Sequence, residues 1–177
     1  TFNISGELNN APNQKVYLEQ ISFNQQQPNV IDTAAVVKGK FDVKAKATEE
    51  GLYRLRFAKS PAYIFINDDD NIKFVANSGD SVLKQGTFNS PANASLTNLI
   101  LTIDSIHTRL MNEDMEKKNY QAQKNDSMAL LAESNFKLSN EWYQNFLINY
   151  VDTPKSAIVS LFAFSFMQDV HPDTAKN

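Results

Sequence analysis

The periodicity of the apolar residues changes once along this chain, at Ser90-Pro91. Before that point apolar and polar residues alternate in short runs, whereas after it apolar residues recur every three or four positions. The first pattern is typical of strands with one buried face, and the second of amphipathic helices. We therefore predict an α+β chain in two parts: an antiparallel β-sandwich or partly open barrel over residues 1–90, and about three α-helices over residues 91–177.

The strongest strand signal lies in residues 40–46, where Phe41, Val43 and Ala45 alternate with charged residues. An apolar run precedes this strand, and only Lys38-Gly39 separates the two. Because a glycine in a two-residue connection can adopt the positive φ of a hairpin turn, we predict that the two runs form an antiparallel pair. No helical pattern separates the strands of this first part, so we expect mainly antiparallel sheets.

Three helices are predicted in the second part of the chain. We expect Asn93 or Ser95 to cap the first helix. Its apolar face comprises Leu96, Leu99, Ile100, Ile103, Ile106 and Leu110. The second helix should end near Asp152-Thr153-Pro154. It should bring to one side Met128, Leu131, Leu138, Trp142, Phe146 and Tyr150. A third, shorter helix is predicted from Ser156 to Gln168.

The third predicted helix is apolar on nearly all sides, so something other than water must cover its second side. One interpretation is burial between the other helices and the sheet. The other is a docking surface for an absent domain or for a second chain. The residues of that docking surface are Ile158, Leu161, Phe162, Phe164 and Phe166.

The composition argues against several classes of function. A net charge of -3, from 17 basic and 20 acidic residues spread along the chain, gives no cationic face for the phosphates of a nucleic acid. The longest apolar run, Ala157–Met167, is too short for a transmembrane span, which takes about 20 residues. Because the chain contains no cysteine, disulfides, thiol catalysis and thiolate metal sites are excluded.

Candidate catalytic and metal-binding residues are few. Asp68-Asp69-Asp70 is the densest carboxylate cluster, but its spacing is not that of an EF-hand loop, and we interpret it as a solvated turn. His107 and His171 have no histidine or carboxylate three or four residues later on a helix, so we predict no zinc site. Five dispersed glycines do not form a phosphate-binding loop. We therefore predict no catalytic residue, no metal and no cofactor.

Aromatic residues are concentrated at alternating strand positions of the first part. They are Tyr53, Phe57, Tyr63, Phe65 and Phe74. Such residues can line a ligand groove, but aromatic side chains on the inward face of a sheet more often fill the core. We predict that they form the core.

Several segments of the first part resemble a known family. They are Phe2–Leu8, Lys15–Leu18, Val30–Ala34 followed by Lys38–Phe41, and Gly51–Leu55. Together they are similar to the domain of unknown function that precedes thioredoxin-like modules in exported, often lipid-anchored thiol-disulfide oxidoreductases of Gram-negative bacteria, the TlpA and peroxiredoxin-like proteins. The resemblance covers residues 1–90, and the helical part resembles the spacer that usually precedes the thioredoxin-like module.

The resemblance implies an accessory region and not an enzyme, because the activity of that family resides in a Cys-x-x-Cys pair that this chain lacks. It also implies a C-terminal thioredoxin-like module in the same protein, a location in the periplasm or cell envelope, and a lipid anchor upstream of Thr1. The region would position that module, contact client proteins or mediate homodimer formation. The start at Thr1 without a methionine and the polar end at Asn177 lead us to expect a fragment of a longer protein.

Two other functions remain open from the sequence. One is a stand-alone cell-surface sandwich that binds a glycan or a lipid in an aromatic-lined groove. The other is a cysteine-independent enzyme that uses carboxylates such as Asp68-Asp69-Asp70 or Glu49-Glu50. Facing carboxylates in a cleft would favour the enzyme, and a downstream Cys-x-x-Cys sequence would favour the accessory region.

Overall fold

The computed structural model describes residues 1–23, 27–79, 86–152 and 156–167. The chain forms two compact units, Thr1–Thr97 and Asn98–Asn177, and the boundary between them lies within a helix. The described strands are β1 (Phe2–Asn9), β2 (Gln14–Ile21), β3 (Asn29–Val36), β4 (Lys40–Ala45), β5 (Leu52–Phe57), β6 (Tyr63–Ile66), β7 (Asn71–Asn77) and β8 (Thr87–Phe88). The described helices are α1 (Pro91–Ala122), α2 (Asp126–Asp152) and α3 (Ala157–Met167). The predicted α+β class, with sheets first and helices afterwards, is confirmed.

The described strands form two four-stranded sheets, in the orders β4-β1-β7-β8 and β3-β2-β5-β6. Most neighbouring strands are antiparallel, which confirms the prediction of mainly antiparallel, sandwich-like sheets. The exception is the parallel pair of β1 and β7, which runs from Asn3↔Asn71 to Asn9↔Asn77. β7 returns beside β1 only after the chain has passed through β2 to β6, so this parallel pair forms without a crossover helix.

The predicted two-residue turn at Lys38-Gly39 is present. Its residues have φ values of 52° and 79°, and Val37 and Lys40 exchange two backbone hydrogen bonds of 3.0 Å. The prediction that the two runs on either side of the turn pair with each other is wrong beyond the antiparallel bridge of Val37 and Lys40, because β3 pairs with β2 and β4 pairs with β1. The turn therefore connects the two sheets. Apolar alternation fixes which face of a strand is buried, but it does not fix which strand lies beside it.

Alternate residues of the strands point into one apolar core. In β1, Phe2, Ile4 and Leu8 are buried, and the residues between these inward positions are exposed. Gly6 belongs to the inward series because a Cβ there would lie 2.1 Å from Cζ of the Phe41 ring. The core also contains the aromatic residues predicted for it, namely Tyr53, Phe57, Tyr63, Phe65 and Phe74. The core prediction is confirmed.

α1 begins at Pro91, ahead of both residues predicted to cap it. The carbonyl of Ser90 accepts the first helical hydrogen bond, from the N–H of Ala94 at 3.0 Å. The prediction that Asn93 or Ser95 caps the helix is therefore wrong. A proline is well suited to the first helical position, where an N–H would have no partner within the helix. The buried residues of its predicted apolar face are Leu96, Leu99, Ile103 and Ile106.

α1 and α2 form an antiparallel hairpin within the second unit. Side-chain contacts between them include His107 with Tyr143, Glu113 with Ser139, and Lys117 with Glu133. As the residue number rises along α1, the number of the contacting residue on α2 falls, so the two helices are antiparallel. The connection contains Lys124 at a φ of 54°. The N–H of the next residue, Asn125, donates to the carbonyl of Tyr120 at 2.9 Å and closes the end of α1.

α2 buries a different face from the predicted apolar side. Its buried residues are Ala129, Ala132, Tyr143 and Leu147. The residues of the predicted side that are exposed are Met128, Leu131, Leu138 and Trp142. Ala129 and Ala132 each follow one of these exposed residues, which places them about 100° further round the helix. Large apolar side chains of α2 therefore face solvent. Among the described residues, we find no helix with both the length and the apolar character of a membrane span.

Candidate functional site

The carboxylates of Asp68-Asp69-Asp70 have different partners. Asp68 Oδ2 accepts a hydrogen bond from the N–H of Ala92 at 2.9 Å, in the first turn of α1. Asp69 Oδ1 accepts from the N–H of Asn71 at 2.8 Å, within the turn itself. The interpretation as a solvated turn is thus wrong for Asp68, which is half-buried and stabilises the helix N-terminus.

Asn93 joins the start of α1 to the edge of β6. Its Oδ1 accepts from the N–H of Ile66 at 2.8 Å, and its Nδ2 donates to the carbonyl of Ile66 at 2.7 Å. Nδ2 also donates to Ser90 Oγ at 2.7 Å and to Asp68 Oδ1 at 3.2 Å. The buried amide therefore takes the place of a neighbouring strand at Ile66, and both N–H donors of its Nδ2 are already used within the protein.

A charged cluster that sequence reasoning missed lies on the outward face of β2 and β5. Glu19 is 3% exposed, and its two carboxylate oxygens accept hydrogen bonds from Nε of Arg54 at 2.7 Å and Nε of Arg56 at 2.6 Å. The guanidinium of Arg56 lies 4.0 Å from the centre of the Tyr17 ring. The register pairs Glu19 with Arg54 and Tyr17 with Arg56. The sequence signal for this cluster was therefore the alternation of polar with apolar residues in both strands, which places these four side chains on one face of the sheet.

His107 contacts the hydroxyl of Tyr143. Its Nε2 lies 3.1 Å from that oxygen, and the two rings meet edge to face at 5.1 Å. His171, the other histidine considered as a candidate, lies outside the described residues. In the part of the chain that the structure describes, no group of three or more histidine, aspartate or glutamate residues is placed to hold a metal ion.

An open groove of ≈ 390 Å³ lies beside Glu49-Glu50 in the first unit. Tyr53 lines it, and burial raises the pKa of the Tyr53 hydroxyl. Asn67 holds the loop in place, because its Oδ1 accepts from the N–H of Gly51 at 2.6 Å and its Nδ2 donates to the carbonyl of Glu49 at 3.2 Å. The other lining side chains include Gln20, Lys46 and Thr48. The groove is therefore largely polar, in contrast to the aromatic-lined groove considered from the sequence.

α3 exposes part of the docking surface predicted for it. Leu161 is 49% exposed and Phe164 is 46% exposed, although the helix contains no charged residue. The buried side of α3 consists of Val159 and Ala163. The other residues of the predicted docking surface are half-buried, and they are Ile158, Phe162 and Phe166. This arrangement leaves one side of α3 apolar and accessible.

Residues 2–97 match the family described as a domain of unknown function, DUF4369. The match spans more than half of the 177 residues and includes every described strand. Comparison with curated proteins gave no significant match, and neither did comparison with solved structures. The resemblance of residues 1–90 to a domain of unknown function is confirmed by the family match. The chain belongs to the DUF4369 family.

Proposed function

We propose that this chain is a non-catalytic accessory region of an exported thiol-disulfide oxidoreductase of the periplasm or cell envelope, and that α3 binds the thioredoxin-like module of the same protein. The observation that carries the proposal is the exposure of Leu161 and Phe164, each about half accessible on a helix without charge. Apolar side chains grouped in this way are more favourable against protein than against water.

The polar groups of the described residues support a role without catalysis. Asp68 accepts hydrogen bonds at the start of α1, Glu19 is bound by two guanidinium groups, and His107 contacts a tyrosine hydroxyl. Each of these side chains thus has a structural partner that accounts for its position. We assign the redox chemistry to a Cys-x-x-Cys pair outside these 177 residues.

The position of α3 in the chain suits contact with a module that follows it. In the proposed protein the module follows α3 in the same polypeptide, so it is tethered to this helix. A short tether produces an effective concentration on the order of millimolar. Under that condition, a small apolar surface such as that of Leu161 and Phe164 is sufficient for docking, whereas two separate proteins would need a larger one.

The first test is to read the gene beyond the codon for Asn177. We expect an open reading frame that encodes a thioredoxin-like module with a Cys-x-x-Cys sequence. A stop codon at that point, or a downstream domain of another kind, would contradict the proposal.

The second test compares amide hydrogen exchange of α3 in this chain and in the complete gene product. We expect exchange at least about tenfold slower over Leu161 to Phe164 in the complete protein, which corresponds to about 1.4 kcal/mol of added protection. Leu161→Gln with Phe164→Gln should remove the added protection. Lys137→Gln is the control, since Lys137 is exposed on α2 and not on α3, and this variant should retain the added protection. Equal exchange in the two proteins would overturn the proposed contact.

A second candidate function is a cell-surface domain that binds a glycan or a lipid. The open groove beside Tyr53 favours it, and polar lining residues such as Gln20 and Lys46 suit a glycan better than a lipid. A panel of oligosaccharides should then raise the melting temperature, and Gln20→Ala should abolish the rise. No shift with any member of the panel would reject this candidate.

A further inference from the structure

We propose that α2 mediates self-association, in which two copies of this chain pack through one uncharged side of the helix. We call this side the α2 stripe, and it consists of Met128, Leu131, Asn135, Leu138 and Trp142. The intervals between these residues are three, four, three and four, which is the a/d spacing of helices that pack along their length. The inference concerns a different surface from α3 and does not depend on the proposed redox partner.

The α2 stripe is exposed to an unusual degree for apolar side chains. Leu138 is 62% exposed, and Leu131 and Trp142 are each 52% exposed. From these fractions the apolar side chains of the stripe expose on the order of 450 Å² together, which is within the range of the largest apolar patch on a monomeric protein, a patch that is often functional. Trp142 stacks on Phe146 with ring centres 5.5 Å apart, so this aromatic surface is ordered before a partner arrives.

The described helices of the same unit do not cover the stripe. α1 contacts α2 through Ser139 and Tyr143, each of which is one position removed from the stripe. α3 has 11 residues and is therefore about 16 Å long. It packs near the C-terminal end of α2, where Ser160 Oγ donates to the carbonyl of Val151 at 3.5 Å. Leu138 lies about 21 Å along the axis from Asp152, beyond the length of α3.

The contact between α1 and α2 is polar in the part of the hairpin that carries the stripe. Ser139 donates to Glu113 Oε1 at 2.9 Å, and the other carboxylate oxygen, Oε2, is buried without a hydrogen-bond partner among the described residues. Lys117 and Glu133 form the next contact at 3.5 Å, which is a weak, partly exposed ion pair. The buried apolar residues in this part of α2 are the small side chains of Ala129 and Ala132, so burial of the stripe would add larger apolar contacts.

A second copy is the partner that the stripe fits best. Because the stripe contains no charge, two identical stripes can meet without placing like charges together. Asn135 is at its centre, and two asparagine amides at an a position can hydrogen-bond to each other across a two-fold axis. Standard interfaces bury about 800 Å² on each partner, so the apolar side chains supply about half of that area and their neighbours supply the rest.

The first test uses the absence of cysteine, which makes a single introduced thiol an unambiguous probe. Asn135→Cys lies at the centre of the stripe, so two copies should form a covalent dimer under mild oxidation. Lys137→Cys is the matched control, since it is also exposed on α2 but lies off the stripe, and it should remain monomeric. Equal cross-linking of the two variants, or none in either, would overturn the proposal.

The second test measures molar mass by light scattering at about 100 µM, where a dimer of micromolar dissociation constant is almost fully formed. The unmodified chain should be a dimer, and Leu131→Gln with Leu138→Gln should convert it to a monomer with unchanged circular dichroism. Leu130→Gln is the control, because Leu130 is 67% exposed and adjacent to the stripe without belonging to it, and it should leave the dimer intact. A monomeric unmodified chain, or equal dissociation by Leu130→Gln, would contradict self-association.

Discussion

The two units of this protein differ in how far the apolar pattern of the sequence matches what is buried. In the sheets, residues such as Phe41 and Val43 are buried as their alternation predicts. In α2, Leu131 and Leu138 share the predicted apolar side of the helix but are exposed. A strand has two faces, and pairing into a sandwich decides which one is inside. A helix has many sides, so its apolar side can also serve a partner that the chain does not contain.

The difference in packing between the two units is tested most directly by truncating one phenylalanine in each. Phe65 is fully buried in the sandwich, so Phe65→Ala should lower the free energy of unfolding by about 4 kcal/mol. Phe164 is 46% exposed on α3, and Phe164→Ala should lower it by less than about 1 kcal/mol. Urea unfolding followed by circular dichroism measures the first effect. The fluorescence of Trp142, the single tryptophan, reports on the second. Equal effects would mean that α3 is as well packed as the sandwich.

Asn93 tests whether the hydrogen bonds that join α1 to β6, the polar junction of the first unit, stabilise that unit as much as apolar burial does. Asn93→Ala removes the hydrogen bonds to Ile66, Ser90 and Asp68 and leaves the N–H and C=O of Ile66 buried without partners. We expect a loss of about 2–3 kcal/mol in the free energy of unfolding. Asn112→Ala is a matched control at an exposed position of α1, and it should change stability by less than about 0.5 kcal/mol. Similar values for the two variants would show that the junction is dispensable.

The same residues show how far sequence reasoning reaches. The alternation in β4 and the three- and four-residue spacing in α1 predicted buried faces correctly, because local periodicity determines those faces. Neither pattern predicted that β3 and β4 would separate into different sheets, since pairing depends on distant strands. Asn93 was expected to cap its own helix, but its amide instead satisfies the edge of β6. A hydrogen bond between residues that are 27 positions apart cannot be predicted from the local sequence pattern.

The candidate site was predictable to a smaller extent. The apolar character of α3 was evident from the sequence, but the exposure of Leu161 and Phe164 depends on which residues α2 leaves uncovered. The burial of Glu19 was not evident, because a glutamate that follows the inward-facing Leu18 on a strand ordinarily indicates an outward, solvated position. Only the register of β2 against β5 brings Arg54 and Arg56 to its carboxylate.

Glu19 is the next probe of the sandwich. Glu19→Gln leaves the two guanidinium groups without their shared anion, and we expect the free energy of unfolding to fall by about 1–2 kcal/mol. This value is below that of a fully buried pair, because Arg54 and Arg56 retain access to water. Glu7→Gln removes an exposed pair with Lys40 and serves as the control, with an expected change below about 0.5 kcal/mol. An unchanged stability of Glu19→Gln would place this cluster among ordinary surface ion pairs.

The smallest expected effect concerns the pH dependence of stability, and it distinguishes a buried tyrosine of the first unit, Tyr53, from a half-buried tyrosine of the second, Tyr150. Burial raises the pKa of Tyr53 above its ordinary value of 10.0, and it raises the pKa of Tyr150 as well, with a hydrogen bond to Asn98 acting in the opposite direction. Because the folded state holds these protons more tightly than the unfolded state does, the stabilisation is fully present below pH 10.0 and is lost as the pH rises through the higher, folded-state pKa.

The pH dependence of the free energy of unfolding can therefore show which unit loses stability at high pH. Urea unfolding between pH 8 and 11 should show the free energy of unfolding falling above pH 10.0, by at most about 1.4 kcal/mol per pH unit for each tyrosine. Tyr53→Phe should reduce the fall in the free energy of unfolding that is measured by circular dichroism. Tyr150→Phe should reduce the fall that is measured by the fluorescence of Trp142, and by a smaller amount. The sandwich excludes water from its aromatic core, whereas the helices leave apolar surface in contact with water, and this difference predicts the order of the two effects. A slope unchanged by Tyr53→Phe would mean that its hydroxyl is as accessible to water in the folded protein as in the unfolded chain.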